Sequence, residues 1–220
     1  MKHADVSSRA EFERLLDQIS NDARRANDSW NLLCEIKKAN KTFLPEFRVS
    51  PDFWAITRDS LREVVGVYLG RLYQQDNSLS LGNFLLTVKK HKSYFTSVEI
   101  DQKELDKEIQ SVAAKSSPLI GTVKSIRDKV VAHRNTDLII QGRREARYHL
   151  SHDEVKSLID RALAITGKYS RMFKSSYIPP TSSAGDFETT LMYVREGMAA
   201  TVKRRKRETP REVKRYLETV

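Results

Sequence analysis

The sequence has little of the residue types that build crosslinks and sharp turns. It contains one cysteine, six prolines and eight glycines among 220 residues. The single cysteine, Cys34, excludes an internal disulfide, and its apolar neighbours Leu33 and Ile36 favour a small packed side chain in a reducing compartment. We therefore predict a cytoplasmic protein. Because proline and glycine are few and no polar low-complexity tract occurs, we predict a folded, helix-rich chain.

Long apolar runs and several catalytic motifs are also absent from the sequence. No apolar run approaches the ~20 residues that span a bilayer, and the first residues lack the apolar segment of a secretory signal, so we expect no membrane association. The absence of a glycine-rich phosphate loop, of a dinucleotide fingerprint and of an HExxH motif argues against nucleotide hydrolysis and zinc proteolysis. His149 and His152 straddle a predicted helix start without further close ligands, so we predict no metal and no cofactor.

Charge is the strongest compositional signal. The net charge is +10, and the basic stretch Lys203 to Arg215 carries much of the excess. A basic surface gains affinity for polyanions by releasing their counterions, so a polyanionic partner is expected. The basic stretch can bind RNA, DNA or an acidic protein, or it can simply be solvated. Composition leaves these alternatives open.

Local start signals predict several helices. A residue that can cap a helix, followed three positions later by glutamate, occurs at Ser8, Asp101 and Ser151, and Ser-Pro pairs begin at Ser50 and Ser117. Apolar residues at helical spacing follow each of these positions. The sequence therefore predicts an all-α fold.

Three further segments complete the expected helical organisation. A separate helix is predicted from about Asn27, with Trp30 as an ordinary packing residue, and a short amphipathic helix is predicted from Leu81 to Val88. The stretch 43–51 is predicted to be a loop. Together with the helix that follows Ser8, the helix from about Asn27 gives at least two helices before the long one that begins at Ser50.

The clearest domain boundary is the Ser/Pro/Gly-rich stretch from Lys174 to Asp186. We predict a helical bundle over residues 1–175, a linker over 176–186, and a C-terminal helix with a basic tail over 187–220. The last segment begins with a heptad-like apolar stripe, predicted to pack on the bundle or on a second subunit, formed by Phe187, Leu191, Val194, Met198 and Val202.

The stretch Ser117 to Asn135, SPLIGTVKSIRDKVVAHRN, has the pattern of a helix with one apolar face. Arg127 falls inside that face, where a permanently charged guanidinium needs partners. His133 falls at the opposite margin of the same face. At about 100° per residue, the face itself is formed by Leu119, Ile120, Val123, Ile126, Val130 and Val131.

Two interpretations of Arg127 and His133 are open on geometry alone. In the structural one, Arg127 extends its charge to solvent or pairs with a core carboxylate, while His133 stabilises the end of its helix through the macrodipole. In the functional one, a cation and a titratable imidazole meet at the edge of a core, where they can act on a substrate.

Residues 127–133, RDKVVAH, resemble the R-x(4–6)-H motif of HEPN-domain ribonucleases, with a polar residue directly after the arginine. The run IRDKVVAHRN resembles the abortive-infection, AbiU-like toxin branch of that family in particular. The segment from Phe53 to Val88 resembles the helix, acidic turn and short helix that precede the motif in this branch. The resemblance extends over about Ala26 to Phe173.

The resemblance implies an all-α, HEPN-like helical bundle with additional N- and C-terminal helices, acting as a homodimer in which two motifs face one cleft. It implies a metal-independent endoribonuclease of a prokaryotic phage-defence or toxin–antitoxin system, restrained by a cognate antitoxin. Arg127 would stabilise charge on the phosphate and His133 would transfer protons. Asp128 would orient them, and Lys129 would contact phosphate.

Further basic and aromatic residues are candidate RNA contacts. The candidate contacts are Arg134, Arg143, Arg144 and Tyr148 after the motif, and Lys203, Arg204, Arg205, Lys206 and Arg207 in the tail.

Two other functions are open. One is a non-catalytic HEPN-like interaction or dimerisation module, and the other is a basic nucleic-acid-binding protein that relies on its tail.

Overall fold

The computed structural model describes residues 4–74, 79–95, 98–113, 118–126, 150–174 and 184–208. These residues form eight α-helices and one short 3-10 helix, Lys92–Tyr94, with no strand among them, so the all-α prediction is confirmed. The helices are α1 (Arg9–Thr42), α2 (Leu44–Val49), α3 (Pro51–Leu72), α4 (Leu81–Lys90), α5 (Gln102–Ser111), α6 (Pro118–Ile126), α7 (His152–Lys174) and α8 (Ala184–Glu208).

The predicted caps form at the starts of α1 and α7. At α7 the Glu154 N–H donates to the Ser151 hydroxyl at 3.3 Å, and the Ser151 N–H donates to the Glu154 carboxylate at 2.6 Å. At α1 the Glu11 N–H donates to the Ser8 hydroxyl at 3.2 Å, but the Glu11 carboxylate accepts from the Ser7 N–H at 2.8 Å. The Glu154 carboxylate therefore satisfies the N–H of the cap residue Ser151, whereas the Glu11 carboxylate satisfies the N–H of Ser7, the residue before the cap.

Two sequence predictions about the N-terminal region are wrong. No new helix begins at Asn27, because α1 runs unbroken from Arg9 to Thr42. Its apolar spacing continues in phase through Ile19, Ala23 and Ala26, all of them buried, so the weak cap signal at Asn27 does not interrupt it. The stretch 43–51 is not a loop throughout, since α2 forms within it with proline in its first turn.

The chain forms two compact units. Unit one comprises Met1–Trp30 and Asp59–Thr181, and unit two comprises Asn31–Arg58 and Ser182–Val220. Helices α1 and α3 each contribute residues to both units. The division at residues 176–186 that the sequence suggests stays a prediction.

An aromatic cluster lies at the centre of unit one. The ring of Phe12, on α1, is fully buried, and its centroid lies 5.1 Å from that of Phe173, 5.4 Å from that of Phe95 and 5.9 Å from that of Phe84. Tyr169 joins the cluster, 5.7 Å from Phe84. Such aromatic pairs stabilise a core beyond the area they bury. The cluster therefore holds α1, α4 and α7 together.

A charged network ties α5 to α7 beside this cluster. The Lys168 ammonium lies 2.9 Å from Glu104 and 2.8 Å from Glu108, and the Tyr169 hydroxyl donates to Glu108 at 2.6 Å. Burial opposes the charge on Lys168, but the hydrogen bonds of Glu108 and Glu104 outweigh it and raise the pKa of the ammonium. Burial, and then the hydrogen bond to Glu108, raises the pKa of Tyr169. The lysine stays charged and the tyrosine stays neutral.

Candidate active site at the end of α6

Helix α6 is anchored in the core of unit one. It begins at Pro118, as predicted, and buries Ile120 completely and Val123 almost completely. Leu119 packs against the same core, which α1, α3, α4, α5 and α7 also build. The predicted apolar face is therefore confirmed at these three positions.

Gly121 and Thr122 lie on the other side of α6 and are half-buried. A Cβ atom placed on Gly121 would meet no described atom within 4 Å. The Thr122 hydroxyl donates to the Pro118 carbonyl at 3.2 Å, a bond within the helix itself. One face of α6 is thus fixed by packing, whereas Gly121 and Thr122 on the other side have no side chain and a hydroxyl bonded within the helix, respectively.

The described part of α6 ends at Ile126, and Arg127 is the next residue of the chain. The chain is described again from Leu150, which packs against the same core as Ile120. The intervening segment is therefore flanked by two core-anchored positions. The motif residues and the first group of candidate RNA contacts lie outside the described residues: Arg127, Asp128, Lys129, His133, Arg134, Arg143, Arg144 and Tyr148.

The tail candidates belong to a different unit from α6. Lys203 and Arg204 are exposed on α8, which lies in unit two. Arg205, Lys206 and Arg207 continue the same helix up to Glu208. The sequence predicted a helix here, and α8 runs further into the basic stretch than the apolar stripe alone would indicate.

Beyond Leu150, the start of α7 carries an aromatic contact that sequence reasoning missed. The Trp30 ring of α1 lies 4.8 Å from the His152 ring, measured between centroids. His152 Nδ1 lies 3.5 Å from the Asp153 carboxylate. The Trp30 indole nitrogen is buried and has no hydrogen-bond partner among the described residues. In the sequence Trp30 had only the spacing of a packing residue, so no signal distinguished this contact.

A polar cluster joins α1 to α3 in unit one. Arg71 pairs with the buried carboxylate of Asp22 at 3.1 Å, Gln18 donates to the same carboxylate at 3.2 Å, and Arg25 donates to the Tyr68 hydroxyl at 3.0 Å. Burial raises the pKa of Asp22, and the charge of Arg71 opposes that rise. The pairing explains how a carboxylate is tolerated inside this part of the bundle.

The described residues show no group of three or more histidine, cysteine, aspartate or glutamate side chains that could hold a metal ion. His152 is described, and its ring contacts Trp30 and the Asp153 carboxylate. His149 lies outside the described residues. In the same part of the chain, none of the helices has the length and apolar character needed to cross a membrane.

Comparison with known proteins identifies the family. Residues 9–190 match the sequence model of the family HEPN_AbiU2, described as AbiU2. No curated protein and no solved structure gives a significant match. The matched range covers far more than half of the 220 residues and includes α1 through α7 together with the motif residues. The resemblance drawn from the motif is thus confirmed at the family level: the chain belongs to AbiU2, an abortive-infection-related family of HEPN domains.

Proposed function

We propose that the protein is a metal-independent endoribonuclease of a prokaryotic phage-defence or toxin–antitoxin system, acting on RNA in the cytoplasm. The observation that supports this most is the place of Arg127 and His133 in the chain. Arg127 is the next residue after α6, and His133 is six residues further on; α6 itself is packed into the core of a domain that belongs to a HEPN family. An anchored helix gives a catalytic pair a fixed starting point.

The chemistry needs three groups around one phosphate. A base takes the proton from the 2′-hydroxyl, the 2′-oxygen attacks the phosphorus, and an acid gives a proton to the departing 5′-oxygen. A cation stabilises the charge that grows on the phosphate oxygens. The products are a 2′,3′-cyclic phosphate and a 5′-hydroxyl, and no metal takes part.

Residue types suit these roles. His133 transfers protons, since the ordinary pKa of imidazole, ~6.5, lies close to neutral pH. Arg127 binds the phosphate, because its planar fork donates two parallel hydrogen bonds to an oxyanion. Asp128 orients the pair, and Lys129 contacts a neighbouring phosphate. Arg134, Arg143, Arg144 and Tyr148 extend the RNA contacts beyond the cleavage position.

A homodimer completes the site. One histidine cannot readily serve both sides of a single phosphate, so two copies bring their motifs to one cleft. The second proton-transfer group therefore belongs to the partner subunit. A cognate antitoxin would restrain this activity in the cell.

Cleavage of a mixed tRNA and mRNA pool by the purified chain in EDTA tests the proposal. The wild type is expected to cut and leave cyclic phosphates. His133→Ala is expected to lose about 10²- to 10⁴-fold in rate, the usual contribution of general acid–base catalysis. Arg127→Lys keeps the charge but not the fork, and is expected to cut far more slowly than the wild type.

His152→Ala is the matched control. It removes a half-exposed histidine that contacts Trp30 and lies outside the motif, so cleavage is expected to persist. Equal cleavage by wild type, His133→Ala and Arg127→Lys would show that the motif is not catalytic. An absence of cleavage by folded, dimeric protein would favour the non-catalytic interaction module.

A further inference from the structure

The first half of α8 is docked within unit two. Leu191 is fully buried, and the Phe187 ring lies 6.1 Å from the ring of Trp54 on α3. The Arg195 guanidinium is hydrogen-bonded to the buried carboxylate of Glu46 on α2 and lies over the Phe43 ring, 4.4 Å from its centroid. This face of α8 is therefore built to pack against helical segments.

The same face continues beyond the docked half. At about 100° per residue, Met198 and Val202 lie within about 20° of Leu191 around the helix, and Val194 lies about 60° away. Val202 is 53% exposed, Val194 is 36% exposed and Met198 is half-buried. We call Val194, Met198 and Val202 the exposed stripe. The exposed stripe continues the face by which the first half of α8 packs within unit two, and no described residue covers the stripe fully.

The charge of the segment around the exposed stripe indicates which kind of molecule covers it. Residues 194–208 contain six basic and two acidic residues, and five of the basic ones are consecutive, from Lys203 to Arg207. Two copies of this segment placed side by side would repel each other, because like charges at a helix interface oppose association. An acidic surface would instead complement the segment.

The width and the residue types of the exposed stripe favour a helix over a membrane or RNA as its partner. Helices that lie on membranes carry a wide apolar face rich in Trp, Phe and Leu, whereas this stripe is narrow and contains two valines and a methionine. RNA would use the charges but leave the apolar side chains without a partner. Spacing of 3–4 residues between apolar side chains is the pattern of helix pairing.

We propose that the exposed stripe and the basic run Lys203–Arg207 together form a docking surface for an acidic amphipathic helix of another protein. The helix would continue along α8 the packing that α2 and α3 give to its first half. Its apolar residues would cover Val194, Met198 and Val202, and its carboxylates would face the basic run. The proposal uses none of the motif residues, so it holds whether or not the chain cuts RNA.

A synthetic peptide is the probe. It has about 21 residues, long enough to populate a helix, with leucines at a and d positions and glutamates at the flanking positions. A second peptide has the same leucines and lysines in place of the glutamates. Binding to the full chain is followed by fluorescence anisotropy. The glutamate peptide is expected to bind and the lysine peptide is not.

Variants of the full chain test the stripe itself. Met198→Gln combined with Val202→Gln is expected to weaken binding of the glutamate peptide about tenfold or more, as loss of two central contacts does. Lys203→Glu combined with Arg204→Glu is expected to weaken it and to flatten its dependence on salt. Tyr193→Gln removes a residue that is 69% exposed on the opposite side of α8, so it is expected to change nothing.

Four outcomes would overturn the proposal. The first is equal binding of both peptides, and the second is binding of neither by the folded chain. The third is a dimer in sedimentation velocity that the Met198→Gln, Val202→Gln variant dissociates, since a second copy would then cover the stripe. The fourth is binding to phosphatidylserine vesicles or to RNA that this same variant abolishes while peptide binding is unaffected.

Discussion

In unit one the large apolar side chains lie in a closed core, whereas in unit two many of them face solvent. Among the described residues, the exposed large hydrophobic side chains of unit one are Val64, Val67 and Val98. Those of unit two are Leu44, Val49, Phe53, Ile56, Met192, Tyr193, Val194 and Val202. Among the described residues, the exposed large apolar side chains are therefore concentrated in unit two.

The largest expected effect contrasts one phenylalanine in each unit. Phe12→Ala removes a fully buried ring from the aromatic cluster of unit one and is expected to lower the free energy of unfolding by ~3–5 kcal/mol. Phe53→Ala removes a ring that is 57% exposed in unit two and is expected to cost less than ~1 kcal/mol. Urea unfolding followed by circular dichroism measures both. A similar loss of unfolding free energy in the two variants would show that the two units do not differ in this respect.

A smaller effect is expected from the charged network of unit one. Glu108→Gln weakens the contacts with Lys168 and Tyr169 and is expected to cost ~1.5–3 kcal/mol, the range for hydrogen bonds to charged groups. The exposed pair Arg62–Asp59 is the comparison, and Asp59→Asn is expected to cost less than ~1 kcal/mol. A double-mutant cycle with Lys168→Met isolates the coupling. A coupling energy indistinguishable from zero would mean that the network adds no stability.

The smallest expected effect concerns the contact between Arg195 and Glu46 in unit two. The hydrogen bond from Arg195 lowers the pKa of Glu46 below its ordinary 4.5, against the effect of burial. A lowered carboxyl pKa contributes stability that is present above the ordinary value and is lost as the pH falls through the folded-state value. Arg195→Met is therefore expected to raise the pKa of Glu46 and to loosen the docking of α8.

Hydrogen exchange and an NMR titration of Glu46 measure these changes. Amides of α8 around Leu191 are expected to exchange faster in Arg195→Met, while those around Phe12 keep their protection. Arg204→Met removes a basic residue further along α8 and is the control. Unchanged exchange in α8 would show that the Arg195–Glu46 contact does not hold this helix.

Local signals made much of the fold predictable. Ser50-Pro51, Ser117-Pro118 and the Ser151–Glu154 box mark helix starts that the structure reproduces, because a cap depends on residues within one turn. Contacts between distant residues were not predictable in this way. Nothing in the sequence pairs Glu46 with Arg195 or Lys168 with Glu104, since each pair is brought together by the fold alone.

In the candidate site, too, the local pattern was predictable from the sequence and the contacts between distant groups were not. Arg127 and His133 were chosen from their spacing on a helical pattern, and the anchoring of α6 through Ile120 and Val123 agrees with that pattern. The family match adds independent support for the domain in which they lie. Their catalytic roles stay a prediction, because spacing fixes neither the partner groups nor the second copy that the chemistry requires.

The two tryptophans of the chain give each unit its own optical reporter. Trp30 belongs to unit one and faces the His152 ring, whereas Trp54 belongs to unit two and lies among Phe47, Phe53 and Phe187. Replacing either one by phenylalanine leaves a chain whose tryptophan emission arises from a single residue. Emission recorded during denaturation then follows one unit at a time, and release of the start of α8 becomes visible through Trp54, whose ring lies 6.1 Å from that of Phe187.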